Sequence, residues 1–129
     1  MKTIIASLVA VAAAGFAAVP AIAADTAAYD KAVDQAKTTY RAASKKCEAL
    51  KGNQRDVCRE EAKLQRARAE FEAASAHKTD HVKAARRGVI NAEHEVAEEK
   101  CEVLRGEAQD DCEDKADDVR DKALAAIAN

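Results

Sequence analysis

The segment KCEALKGNQRDVCREEA, Lys46 to Ala62, returns 54 residues later as KCEVLRGEAQDDCEDKA, Lys100 to Ala116. Eight positions are identical and define the pattern K-C-E-x-L-x-G-x-x-x-D-x-C-x-x-x-A, while Ala49/Val103 and Lys51/Arg105 are conservative. Self-similarity at such a period means one supersecondary unit used twice. It constrains the fold more than any other feature, because whatever conformation suits Cys47, Gly52 and Cys58 must also suit Cys101, Gly106 and Cys112.

The unit is helical. Tyr29, Val33, Ala36, Tyr40, Ala43, Cys47 and Leu50 alternate in steps of four and three, which is the heptad seam of an α-helix and not the alternation of a strand. Ile90, His94, Ala97, Cys101 and Leu104 repeat it. Beyond each motif a new stripe begins: Cys58, Ala62, Gln65 and Ala69, flanked by Val57, Leu64 and Phe71, and then Cys112, Ala116, Val119, Ala123 and Ile127. Gly52 and Gly106 stand where a helix is expected to close in the left-handed conformation, with Lys51 or Arg105 in its last turn. Asn53 is expected to cap the following helix.

The cysteine spacing tests the turn. On one uninterrupted helix Cys47 and Cys58 would lie about 16 Å apart along the axis, whereas a disulfide needs Cα atoms within about 7 Å. A reversal at Gly52 brings the two to the same height. The expected pairings are therefore Cys47–Cys58 and Cys101–Cys112, with a structural rather than redox role, since redox-active pairs sit closer together at a helix N-terminus.

The fold expected is all-α: two tandem antiparallel helical hairpins, coiled-coil-like and each stapled by a disulfide, spanning residues 24–78 and 79–129. Two ways of joining them stay open. The favoured one shares a single central helix from about Gln54 to Arg105. The other breaks the chain near Ser75–Asp80, with Thr79 or Asp80 as cap, and closes a compact four-helix bundle. The wide apolar face of Val82, Ala85, Val89, Ile90, Ala92, Val96, Ala97 and Val103 speaks for the second.

The N-terminus carries a different signal. Met1-Lys2, the uncharged run Ile4 to Val19, Pro20 and the small residues after it have the layout of a signal peptide over residues 1–23. The run is shorter than the roughly 20 residues of a membrane span, so no span is expected after cleavage. Four cysteines fit the oxidising exterior to which such a signal leads, periplasmic or secreted.

Charge narrows the partners. Residues 24–78 carry twelve basic and nine acidic side chains, and residues 79–129 eight and fourteen. Neither half is basic enough for nucleic acid; the expectation for these charges is a solvated surface, with head-to-tail self-association through their opposite signs as the alternative. His77 and His81 share a face if one helix carries both and are weak candidates for a metal; with no third ligand assured, the expectation is no metal and no cofactor. His94 stands at the seam position of Tyr40 and is expected to pack. The acidic run from Asp110 to Asp121 lacks the spacing of a calcium loop. No catalytic triad or phosphate-binding loop is recognisable.

With its signal-like start and Ala/Glu/Lys/Arg-rich helices, the K-C-E-x-L-x-G-x-x-x-D-x-C motif resembles that of a group of small exported proteobacterial Cys-repeat proteins, some labelled TolA-like cell-envelope proteins. The Cys–Gly–Cys spacing is its specific part, and PsiF repeats are more distantly similar with a different spacing. The resemblance implies location and shape, not an activity. A non-enzymatic structural or protein-interaction role in the periplasm is expected. The alternative is a metal-responsive or chaperone-like helical protein of the Spy/CpxP sort, although the L-T-x-x-Q motif of those proteins is missing. A thiol oxidoreductase comes third.

Overall fold

The computed structural model describes residues 21–77 and 79–128, with side chains from residue 25 onward. The expected signal peptide lies outside the described residues except for its last three. Among the described residues there are four helices: α1 Ala21–Cys47, α2 Asn53–Ala76, α3 Val82–Cys101 and α4 Glu107–Ala128. The fold is all-α, and the helices α1 and α3 end on equivalent cysteines of the two copies. Among the described residues, no helix is long and apolar enough to cross a membrane.

Both staples form as the spacing requires. Cys47–Cys58 and Cys101–Cys112 each hold their Cα atoms 5.7 Å apart, and among the described residues no cysteine is free. Cys47 and Cys101 are each only 1% exposed. The small Ala residues of the seams (Ala36, Ala62 and Ala116, all buried) let paired helices approach closely enough to be bridged.

The turn differs in detail from the expected one. The helices α1 and α3 end before the glycines, in tightened turns where Leu50 N–H donates to Cys47 O at 3.0 Å and Leu104 N–H to Cys101 O at 2.9 Å. Gly52 and Gly106, both at φ 56, instead start the next helices. Gly52 O accepts from the N–H groups of Arg55 and Asp56, and Gly106 O from those of Gln109 and Asp110. Asn53 does not cap its helix; its Nδ2 reaches across to donate to Glu99 O at 2.5 Å. Arg105 does serve the end of its helix, donating through Nη1 to the carbonyls of Glu102 and Leu104.

Positive φ makes these glycines irreplaceable. A Cβ at Gly52 or Gly106 meets open space, so the cost is torsional alone. Gly52→Ala or Gly106→Ala is expected to lose about 1–3 kcal/mol, read from the midpoint of denaturant unfolding. Gly88, inside α3 with room for a Cβ, should behave oppositely, Gly88→Ala gaining about 0.5–1 kcal/mol.

The long central helix is not formed. Helix α2 stops at Ala76, and the His77 N–H donates to Ala73 O. The chain reverses over Thr79–His81, where Thr79 Oγ1 accepts from His81 N–H at 3.3 Å, and α3 returns against α2. The reason lies in two inner faces. On α2, Val57, Leu64 and Phe71 lie about 100° from the Cys58 seam; on α3, Val89 and Val96 stand similarly off the Cys101 seam. A straight helix would leave both rows in water. Reversal buries Val89 to 3% and Val96 to 7% exposure and places the Arg86 guanidinium 5.4 Å from the Phe71 ring centre.

The compact bundle is not formed either. Packing joins α1 to α2, α2 to α3 and α3 to α4, and among the described residues no other pair. The result is an open, up-and-down layer with α1 and α4 as its edges. Two-sided burial explains why α3 holds the most buried positions: Val89 and Val96 toward α2, and Ile90, His94 and Cys101 along the seam toward α4.

The α2–α3 joint carries a concentration of carboxylates. Lys100–Glu61 at 2.9 Å and Arg68–Glu93 at 2.8 Å bridge the two helices at its rim, but the Oε2 atoms of Glu60 and Glu99 are buried without a hydrogen-bond partner. Burial, then the carboxylates of Glu102, Asp56, Glu60 and Glu95, holds the Glu99 carboxyl above its ordinary range. An acid whose folded pKa is raised binds its proton more tightly folded than unfolded. Its contribution is therefore most favourable at acid pH and declines as pH climbs from the ordinary carboxylate value through the raised one. Glu99→Gln is expected to raise stability at neutral pH and to flatten that decline, measured by denaturant unfolding across the acidic range.

Candidate functional site

The second hairpin presents a groove of about 560 Å³ between α3 and α4. Ile90 and Ala97 from α3 and Ala116, Val119 and Ala123 from α4 supply its apolar surface, and the Cys101–Cys112 bridge and Leu104 bound one end. Val119 is 68% exposed although it sits on the seam stripe of its helix. The cause is that Ala seams set the helices close without covering larger neighbours. The first hairpin has a smaller counterpart, about 410 Å³, at the equivalent residues Ala36, Tyr40, Ala62, Gln65, Arg66 and Ala69.

His94 lies in the wall of the larger groove and is the one buried polar residue among those described, 7% exposed. As expected from its seam position, it is packed; what the seam did not reveal is that both ring nitrogens face carboxylates. Nε2 stands 2.8 Å from Asp117 Oδ1 on α4, and Nδ1 stands 3.3 Å from Glu98 Oε2 one turn along α3. The shorter contact is a charge-assisted hydrogen bond in length, which assigns the Nε2 proton to Asp117. Arg120 clamps the same carboxylate at 3.0 Å and also pairs with Asp121 at 3.1 Å. Its Nη1 lies 3.3 Å from His94 Nε2.

The repeat shows how this cluster arose. Fifty-four residues earlier, the positions of His94, Glu95, Glu98, Asp117 and Arg120 hold Tyr40, Arg41, Ser44, Lys63 and Arg66. In the first copy Arg66 rests over the Tyr40 ring at 5.7 Å and donates to Glu70 at 2.7 Å, and Lys63 donates to Glu60 at 2.6 Å. Four of the five positions change to residues able to ligate a metal, and only the arginine is kept. Comparing the two copies residue by residue, beyond the motif itself, is the signal that finds the site.

The other sequence candidates fall elsewhere. His77 and His81 do not share a helix face, because the helix break separates them: His77 ends α2 and His81 precedes α3. The His81 ring stacks on Tyr29 at 5.7 Å, and its Nε2 is 3.5 Å from Asp80. Among the described residues, His94, Glu95 and Glu98 form the group whose potential ligand atoms all lie within 4.8 Å of one another. Of the acidic run on α4, Asp117 contacts His94; Glu113 and Asp118 pair within their own helix.

Comparison with known proteins gives no match to a family model, a curated protein or a solved structure.

Proposed function

We propose that this chain is a non-enzymatic structural or interaction protein of the periplasm, exported by its N-terminal signal, and that it works by lateral association of helices. Two disulfides fit an oxidising, exported location. The observation that carries the reading is the open layer, in which, among the described residues, each edge helix packs against one neighbour only, α1 on α2 and α4 on α3, and so keeps a free side.

Those edges are chemically matched. Continuing the layer by the rule that sets α2 on α3 would set α4 of one copy on α1 of the next. The α2–α3 joint crowds Glu99 and Glu95 against Asp56 and Glu60. At the equivalent positions α1 offers Lys45 and Arg41, and α4 offers Asp110 and Asp114. Asp111 and Asp118 replace the apolar Val57 and Leu64, so such a joint is ionic with little apolar burial. One equivalent pair, Lys46 with Lys115, opposes it. The association is accordingly weak and sensitive to salt.

Sedimentation of the oxidised protein tests this. A mass that rises with concentration at low ionic strength and returns to monomer in high salt is expected. Reversing Asp110 and Asp114 to Lys should abolish it, and adding Lys45→Glu with Arg41→Glu should restore it. A monomer under every condition, together with no partner trapped by crosslinking in envelope extract, would remove the proposal. The exposed Val119 groove favours one second reading, chaperone-like capture of apolar segments, which suppression of client aggregation lost on Val119→Asp would support.

A further inference from the structure

The geometry points to a divalent metal site in the second hairpin, with His94 Nδ1, Glu98 and Glu95 as ligands and Asp117 as the positioning residue. The argument begins at the imidazole. A neutral ring has one N–H and one lone pair. Asp117 takes the Nε2 proton at 2.8 Å, so the lone pair on Nδ1 points at the Glu98 carboxylate 3.3 Å away. With the ring neutral these two acceptors face each other in a site only 6% exposed; a second ring proton or a shared cation would satisfy them, and Glu95, which brings a third ligand atom within 4.8 Å, favours the cation.

The surroundings fit a metal ion in that role. Arg120 pairs with Asp117 and with Asp121, and Glu95 and Glu98 supply two negative charges to balance a doubly charged ion. Arg120 stands on the Nε2 side of the ring and does not obstruct the Nδ1 side. A carboxylate holding the far nitrogen of a ligating histidine fixes its tautomer and raises its basicity, the usual outer support of a metal-bound imidazole. One imidazole nitrogen with two carboxylates suits zinc or copper, with water completing the shell. The first copy cannot do this, since Tyr40, Arg41 and Ser44 stand at the ligand positions. One ion per chain is therefore expected despite two copies of the fold.

Titration calorimetry and native mass spectrometry of the oxidised, chelator-treated full chain with Zn²⁺ test the site. One ion per chain is expected. Glu98→Gln, at a half-exposed position that should not disturb folding, and His94→Gln should abolish stoichiometric binding. Asp117→Asn should weaken it roughly 10–100-fold while leaving the stoichiometry at one. The double variant His77→Ala/His81→Ala should bind as the parent does. Circular dichroism checks that each variant keeps its helices. No stoichiometric uptake by the parent, uptake unchanged in Glu98→Gln, or uptake lost with His77 and His81 would each overturn the assignment. Self-association is measured separately with chelator present, so either proposal can fail alone.

Discussion

Replacing both disulfides (Cys47→Ser with Cys58→Ser, and Cys101→Ser with Cys112→Ser) is expected to leave the chain without a stable fold at physiological temperature. Each bridge closes a loop across a sequence separation of 11, for which chain entropy alone gives about 3 kcal/mol. Two such terms reach the lower part of the 5–15 kcal/mol that holds ordinary domains together. This protein has little in reserve. Among the described residues its buried hydrophobic positions are five alanines, two cystine halves, Val89, Ile90 and Val96, and an Ala removes little apolar area from water.

Losing a single bridge should act locally. Because, among the described residues, α1 packs on α2 alone and α4 on α3 alone, removing Cys47–Cys58 is expected to loosen α1, and removing Cys101–Cys112 to loosen α4. The α2–α3 pair, which holds Val89 and Val96, outlasts either loss. Hydrogen exchange should show protection lost from the released helix first, and thermal melts should broaden. A fully reduced protein that melts at the temperature of the oxidised one would contradict the whole scheme.

Ile90→Ala should be among the most damaging single substitutions outside the cysteines, at about 2–4 kcal/mol. Ile90 is 3% exposed on the seam between α3 and α4 and is the largest of the buried hydrophobic side chains among the described residues, so its truncation removes the most apolar volume. Its equivalent in the first copy is Ala36, also buried, so the substitution gives the second hairpin the thin seam of the first. Val119→Ala, on the same hairpin but 68% exposed, should stay within about 0.5 kcal/mol. Denaturant unfolding of both variants decides the matter. A loss below about 1 kcal/mol for Ile90→Ala would mean that the second hairpin is held by its bridge alone.

Much of the local structure is legible before any coordinates. The repeat, the heptad seams and the Cys–Gly–Cys spacing dictate two bridged hairpins, since they depend on periodicity and on the short reach of a disulfide. The exact role of the glycines is not legible in the same way. Positive φ was required near residues 52 and 106, but whether such a glycine closes one helix or opens the next depends on where the preceding helix lets go, and the bridge at Cys47 and Cys101 decides that.

The path between the hairpins is the part that periodicity left open. A continuous helix and a reversal at Thr79–His81 satisfy the same local preferences, because no proline intervenes. The repeat did hold a clue in its differences: Val57, Leu64 and Phe71 against Asp111, Asp118 and Ala125, and Val89 and Val96 against Gln35 and Ala42. The added apolar rows belong to the faces of α2 and α3 that meet each other.

The chain alone thus determined its helices, its bridges and its duplication, all products of short-range spacing. Only the tertiary structure decided that the layer stays open and that Asp117 comes to His94 from 23 residues away. Both follow from which buried faces find one another, and that is a property of packed helices rather than of any one stretch of sequence.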